Sequence, residues 1–115
     1  MRKKVIYSCS GCSSVAQMAN SIAVELDKMG IGEMSCIAGV GGGVPSLTKI
    51  ATAGHRIITI DGCPLRCCQA CLERVQVKAD QSFVLTDFGV QKRKDSYSRK
   101  EAKQIMKKIL PMLKF

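Results

Sequence analysis

The sequence contains no tryptophan, and aromatic residues make up only 4% of the chain. Acidic residues are also scarce: 9 Asp and Glu stand against 18 Lys and Arg, which gives a formal net charge of +9. Basic chains are typical of nucleic-acid-binding proteins, but few aromatics and no recognisable nucleic-acid motif argue against such a partner here. We therefore interpret the basic residues as a solvated face and expect no nucleic acid.

Long hydrophobic runs are missing as well. No apolar run approaches the roughly 18 residues that a membrane-spanning helix needs, so no membrane is expected. The N-terminal segment MRKKVIYSCS predicts a first strand rather than a signal peptide, because its apolar stretch is short. Hydrophobic residues at 46% and charged residues at 23% indicate a globular protein. We expect a single domain over residues 1–115 in the cytoplasm, where thiols stay reduced.

Residues that several enzyme classes require are absent. The glycine-rich segment GVGGGVP (39–45) lacks the lysine and the serine or threonine of a phosphate-binding P-loop. A phosphatase of the low-molecular-weight type with Cys9 as nucleophile needs an arginine at position 15, which is valine. A phosphocarrier loop stays possible, but no partner that would activate Cys9 is visible. We therefore assign no catalytic residue.

Short β-branched runs alternate with helical patterns along the chain. The sequence predicts strands at 4–8, 33–39, 55–62 and 82–89, with helices at 13–30, 45–54, 64–75 and 98–115. This βαβαβαβα order predicts an α/β fold: a three-layer, doubly wound domain whose four-stranded, mainly parallel sheet carries helices on both faces.

Seven cysteines stand out in this small chain, four of them within IDGCPLRCCQACLE (60–73). Cys9 directly follows the first predicted strand, Cys36 lies toward the end of the second, and Cys63 follows the third. The carboxyl ends of parallel strands share one edge of the sheet, where ligands of such folds bind. In a reducing compartment this convergence favours metal binding or catalysis over disulfides.

The helix predicted from Pro64 adds further thiols to that edge. With Cys63 as its cap, Cys67 faces the same side near the helix start, and Cys71 shares the face of Cys67 one turn later. Cys68 is rotated by about 100° from Cys67 and is interpreted as a small buried hydrophobe. Cys12, in the turn that opens the first helix, is a further candidate for the same site.

Zinc is the metal that this pattern favours. Structural zinc is commonly held by four cysteine or histidine ligands, and one plausible set is Cys9, Cys36, Cys63 and Cys67. The only histidine, His55, is expected at the opposite end of its strand and is not counted. A cluster of thiolates around a divalent metal would be net negative, so nearby cations would offset its charge.

Four ordered motifs resemble the DGC-domain family of small prokaryotic proteins: CSGCSSVAQMAN, MSCIAGVGGGVP, IDGCPLRC and LTDFGVQK. The family is named for the Asp-Gly-Cys found here at residues 61–63, and the resemblance covers roughly residues 4 to 94. It implies zinc binding, and its pattern falls on Cys9, Cys36, Cys63 and Cys67. The chain departs from that pattern at its other three cysteines, which leaves open a second metal, ligand exchange or disulfide formation.

Two alternatives use the same thiols. Thiolate-rich sites also bind iron–sulfur clusters, which we consider less favoured than zinc. A thiol redox protein is the other alternative, because Cys9 and Cys12 form a Cys-x-x-Cys motif between a strand and a helix. Against it, none of the three prolines precedes a strand facing that motif, as it would in a thioredoxin-like fold.

Overall fold

A computed structural model describes residues 2–113 of the chain. The strands are β1 (Lys4–Ser8), β2 (Glu33–Met34), β3 (Arg56–Asp61) and β4 (Gln81–Val84). The helices are α1 (Ser14–Lys28), α2 (Ile37–Gly41), α3 (Pro45–Ala51), α4 (Cys67–Glu73) and α5 (Arg99–Ile109), with short 3-10 helices at Leu85–Phe88 and Leu110–Met112.

The sheet is four-stranded and parallel throughout, in the order β2-β1-β3-β4. From β1 the chain crosses to β2 on one side, whereas from β3 it continues to β4 on the other. The boundary between β1 and β3 is therefore the switch point of the fold, and the crevice at its carboxyl end is the usual ligand position in this strand order.

Helices cover both faces of the sheet. The last two residues of β1 illustrate this, because each contacts a helix on a different face. Successive strand residues point to opposite faces. The Tyr7 ring lies on the side of Cys68 in α4, whereas the Ser8 hydroxyl donates a 3.5 Å hydrogen bond to Asn20 of α1. Helix α5 packs on α1, and α2 packs on both α3 and α4. The α/β class, the parallel sheet and the two helical layers are thus confirmed.

The core consists of the aliphatic positions of β1 and β3 and the inner stripe of α1. Ile6, Ile58 and Ile60 are fully buried in the sheet, and Leu26 is fully buried on the helix. Ser13 begins α1, since its hydroxyl accepts a hydrogen bond from the N–H of Ala16 at 3.2 Å. Ser13 is thus the N-cap of this helix.

Several predicted boundaries are wrong. Residues 35–39 do not continue β2: Cys36 precedes a short helix, α2, in which Val40 is buried. The strand and helix patterns of such a short apolar run are hard to distinguish. Strand β4 ends at Val84, and the chain then turns through a 3-10 helix to Gly89, whose φ is +90°. Helix α5 ends at Ile109, and residues 114 and 115 of the predicted last helix lie outside the described range.

The start of α4 also differs from the prediction. We predicted a helix from Pro64, but Pro64 follows Cys63 in a turn that the Arg66 N–H closes on the Cys63 carbonyl at 3.1 Å. Proline fixes a φ suited to the second position of such a turn. The helix therefore begins at Cys67, and Cys63 is not its cap.

Candidate metal centre

Cys9 lies at the switch point between β1 and β3. Its N–H donates to the carbonyl of Ile60 at 3.2 Å, and its sulfur accepts the N–H of Gly62 at 3.2 Å. Gly62 lies against the first turn of α1, where an added Cβ would be 2.6 Å from the carbonyl carbon of Val15. Only glycine allows this approach, so Gly62 fixes the thiol of Cys9 at the centre of the crevice.

The turn from Cys63 to Cys67 forms the rim of the crevice. Arg66 adopts the left-handed conformation, with φ +52° and ψ +49°, which costs roughly 1–2 kcal/mol for a residue other than glycine. Because Arg66 offers no capping side chain, Asp61 takes that role. Its carboxylate accepts the N–H groups of Cys68 at 2.8 Å and Gln69 at 3.4 Å. Asp61 thus ties the end of β3 to the start of α4.

Three thiols gather at this point. Burial raises the pKa of the Cys9 thiol to about 11; the N–H of Gly62 opposes this rise, and the nearby groups of Asp61, Cys67 and Cys63 add to it. The contact between Gly62 and the Cys9 sulfur brings two segments that are distant in sequence, each carrying thiols, to one neighbourhood. An uncompensated thiolate at Cys9 is costly, and binding of a cation would offset that cost.

Cys71 and Cys68 lie on different faces of α4. Cys67 and Cys71 lie four residues apart in this helix and therefore share a face. Burial, and to a lesser extent the neighbouring Cys67, raises the pKa of Cys71. The Cys71 sulfur also lies close to Gly41 of α2, where a Cβ would be only 2.8 Å away. Cys68 is fully buried, and burial strongly raises its pKa, as expected of a small core residue.

Cys36 and Cys12 lie further out. Cys36 is exposed at the start of α2, and its charge raises the pKa of Tyr7 rather than that of Cys9. Cys12 is exposed in the loop before α1. His55 immediately precedes β3, at the opposite end of the strand from Cys63.

Lys92 is a site residue that the sequence pattern did not reveal. Its Nζ lies 3.6 Å from the sulfur of Cys63. Ser14 positions this segment, because its N–H donates to the carbonyl of Arg93 at 2.7 Å and its hydroxyl accepts the Arg93 N–H at 2.8 Å. The sequence contains a basic cluster at 92–94, and cations are expected beside thiolates, but no local pattern indicates that this cluster folds back onto α1.

All seven cysteines are free thiols in the structure. Within residues 2–113, no three Cys, His, Asp or Glu side chains converge closely enough to hold a metal ion as they stand. The donor chemistry fits a soft metal, because thiolates select zinc, Cu(I) and iron–sulfur clusters. Binding by the neighbouring thiols therefore requires side-chain rearrangement around Cys9. No helix in the described range is long and apolar enough to cross a bilayer.

Comparison with known proteins agrees with the motifs. The sequence profile of the DGC domain matches residues 5–109. The chain is also 49% identical over 89 residues to the anaerobic and virulence modulator AnvM of Pseudomonas aeruginosa, across 77% of this chain and 68% of that protein. No solved structure is detectably similar to the chain. The match to nearly the whole domain shows that the chain belongs to the DGC-domain family.

Proposed function

We propose that this chain binds zinc through cysteine thiolates at the carboxyl end of its sheet. Cys9, Cys63 and Cys67 form the centre of the proposed site, Cys36 is the proposed fourth ligand, and Cys71 is the alternative to it. The observation that carries the proposal is geometric: the Cys9 sulfur accepts the N–H of Gly62 at 3.2 Å, directly before Cys63 and beside the start of α4 at Cys67. Bound zinc would link the loop after β1 to the start of α4.

The surroundings of these thiols support a metal more than redox chemistry. A reactive Cys-x-x-Cys pair needs a thiol whose pKa is lowered, whereas burial raises the pKa of Cys9 to about 11. Lys92, beside Cys63, supplies a cation that would offset the negative charge of a metal–thiolate site. We further propose the cytoplasm as its compartment, since a reducing environment keeps all seven thiols available.

The role that we propose is that of a metal sensor or carrier rather than an enzyme. The name of the Pseudomonas relative describes a modulator, which is consistent with a sensing role. Cys36 and Cys67 are exposed, so ligands of the proposed site are open to exchange with a donor or acceptor of the metal. An iron–sulfur cluster on the same thiolates is the second candidate of this class.

Elemental analysis of protein purified without air or added metal tests the proposal. We expect near-stoichiometric zinc, lost in Cys63→Ser and Cys67→Ser together with stability, because metal binding also contributes to folding. Cys68→Ala is the matched control: it removes a buried thiol of the same helix and should lower stability without changing the metal content.

Other outcomes have defined meanings. Iron together with labile sulfide would mean that the thiolates hold an iron–sulfur cluster and not zinc. Two metals per chain would add Cys12 and Cys71 as ligands. Metal-free protein with reactive thiols at Cys9 and Cys12 would contradict the proposal and favour redox chemistry. Retention of zinc in Cys67→Ser but not in Cys68→Ala would show that the ligand assignment on α4 is wrong.

A further inference from the structure

Cys63 and Lys92 bring a thiol and an amine into direct contact. The Nζ of Lys92 lies 3.6 Å from the Sγ of Cys63. No carboxylate within residues 2–113 forms an ion pair with Lys92. The amine therefore has a thiol, and no acidic side chain, as its partner.

The backbone on either side of the Cys63 thiol is held by hydrogen bonds. The carbonyl of Gly62 accepts the N–H of Thr86 at 3.2 Å, and the carbonyl of Cys63 accepts the N–H of Arg66 at 3.1 Å. The side chain of Cys63 is partly exposed. A small molecule in solution can therefore reach a thiol whose position the fold determines.

The segment that carries Lys92 is anchored on both sides of this residue. Val90 is buried, and two hydrogen bonds, of 2.7 and 2.8 Å, join the backbone of Arg93 to Ser14. Lys92 lies between these anchors, so the fold keeps its amine near Cys63. Two reacting groups that are held together in this way react as one molecule rather than as two.

We propose that dioxygen joins Cys63 and Lys92 through a covalent N–O–S bridge. The lysine ammonium first releases one proton to solvent. One N–H bond, the S–H bond and the O–O bond then break, while an N–O bond and an O–S bond form. One oxygen atom enters the bridge, and the other leaves as water with the two hydrogens. The thiol and the amine together lose four electrons, and dioxygen gains them.

The separation of the two atoms favours an oxygen atom between them. A direct S–N bond would require the sulfur and the nitrogen to approach to bonding distance, whereas a bridge leaves them further apart and nearer to the present 3.6 Å. Cys67 is the useful comparison. It is exposed at the other end of the same turn, but no lysine of the described residues donates a hydrogen bond to it. Oxidation of Cys67 should therefore give sulfenic, sulfinic and sulfonic acids.

The bridge would also regulate the proposed metal site, and this extension rests on the proposed function. A metal takes up a cysteine as a deprotonated thiolate, which a bridged Cys63 no longer offers. Oxidation should therefore lower the zinc affinity. Four equivalents of a small thiol would reverse the step, since they reduce the bridge to amine, thiol and water and become two disulfides.

Mass spectrometry of the metal-free full-length protein, digested after exposure to dioxygen, tests the bridge. We expect a joined pair of peptides that contain Cys63 and Lys92, about 14 Da heavier than their sum, because one oxygen is gained and two hydrogens are lost. Dioxygen labelled with oxygen-18 should add about 2 Da more, and dithiothreitol should separate the peptides. A pair lighter than the sum by about 2 Da would indicate a direct S–N bond and overturn the proposal.

Two lysine variants form the matched comparison. Lys92→Arg keeps the positive charge but removes the amine, so it should abolish the joined peptides. Lys94→Arg makes the same change at an exposed lysine two residues away and should leave their yield unchanged. Absence of the joined peptides from the wild type, or equal yields in the two variants, would overturn the proposal.

Ser14→Ala tests whether the anchored segment positions the amine. This variant removes the hydroxyl group that accepts the Arg93 N–H. The yield of joined peptides should fall by roughly tenfold or more, as expected when a reacting group is misplaced, while the iodoacetamide rate at Cys63 stays unchanged. An unchanged yield would contradict this positioning.

The zinc content of bridged and reduced protein separates the bridge from the proposed function. Less zinc in the bridged protein, restored after reduction, supports both. A bridge that forms but leaves zinc binding unchanged would count only against Cys63 as a ligand. Zinc binding that requires Cys63, without any bridge after exposure to dioxygen, would count only against the bridge.

Discussion

At the scale of single residues, Arg66 combines an unfavourable backbone conformation with a position between two proposed ligands. Its φ of +52° lies in the left-handed region, which glycine adopts at little cost. We expect Arg66→Gly to be more stable than Arg66→Ala by about 1 kcal/mol, because only the latter keeps the Cβ penalty. Urea denaturation of the two metal-free variants measures the difference.

The comparison between these two variants is matched, because both remove the guanidinium group and differ only at Cβ. Equal stability, or a more stable alanine variant, would mean that the turn relaxes out of the left-handed region without cost. The glycine variant should also bind zinc less tightly than the wild type, because it gives the proposed ligands at 63 and 67 more conformational freedom.

The sequence alone predicts that Cys9, Cys63 and Cys67 lie at one edge of the sheet, because the ends of the strands and the direction of the chain determine their position. The sequence does not predict that Lys92 lies beside Cys63. The contact of Lys92 with Cys63 depends on the hydrogen bonds of Ser14 with residue 93, a tertiary contact with no local sequence pattern. The sequence also leaves the role of Asp61 open, because an aspartate at the end of a strand can cap a turn as readily as it caps a helix.

At the scale of elements, the close approach of β3 to α1 depends on Gly62. A Cβ at this position would be 2.6 Å from Val15 and 2.9 Å from the nitrogen of Ala16, both backbone atoms that cannot rotate away. We expect Gly62→Ala to lower the free energy of unfolding by roughly 3 kcal/mol or more, at the upper end of overpacking costs. Chemical denaturation of metal-free protein measures this loss.

Gly42→Ala is the control for that substitution. Gly42 has an ordinary φ of −86°, and a Cβ there would be 3.2 Å from the carbonyl oxygen of Ala38. Its cost should therefore stay below about 1 kcal/mol. A loss at Gly62 no larger than that at Gly42 would show that α1 shifts easily away from β3.

The elements that the sequence predicts well are those whose pattern agrees with their surroundings. Strand β3 is a β-branched run that is buried almost throughout, and α1 keeps its apolar stripe against the sheet. The prediction failed where tertiary packing decides between similar local patterns. Residues 37–41 form a helix that packs on α3 and α4, although an apolar run of this length is equally compatible with a strand.

At the scale of the whole molecule, metal binding and folding should be linked. At a free zinc concentration 100-fold above Kd, binding stabilises the folded protein by about 2.7 kcal/mol. For a domain of this size, that corresponds to a rise in Tm of roughly 10 °C. Thermal unfolding with and without zinc measures the shift.

Cys9→Ser and Cys67→Ser should lose most of this zinc-dependent shift, whereas Cys12→Ser should keep it if one metal binds per chain. A full shift in all three variants would place the metal elsewhere in the molecule. Calcium, a hard cation that prefers oxygen ligands, should produce no shift in any variant.

The shortness of β2 has a consequence for association between copies of the chain. An exposed edge strand is a template on which another chain can add a strand by backbone hydrogen bonding. Here one edge of the sheet is a strand of two residues and the other a strand of four. Neither edge offers a long ladder, and the net charge of +9 repels a second copy. The short edge strands therefore protect the sheet against edge-to-edge aggregation.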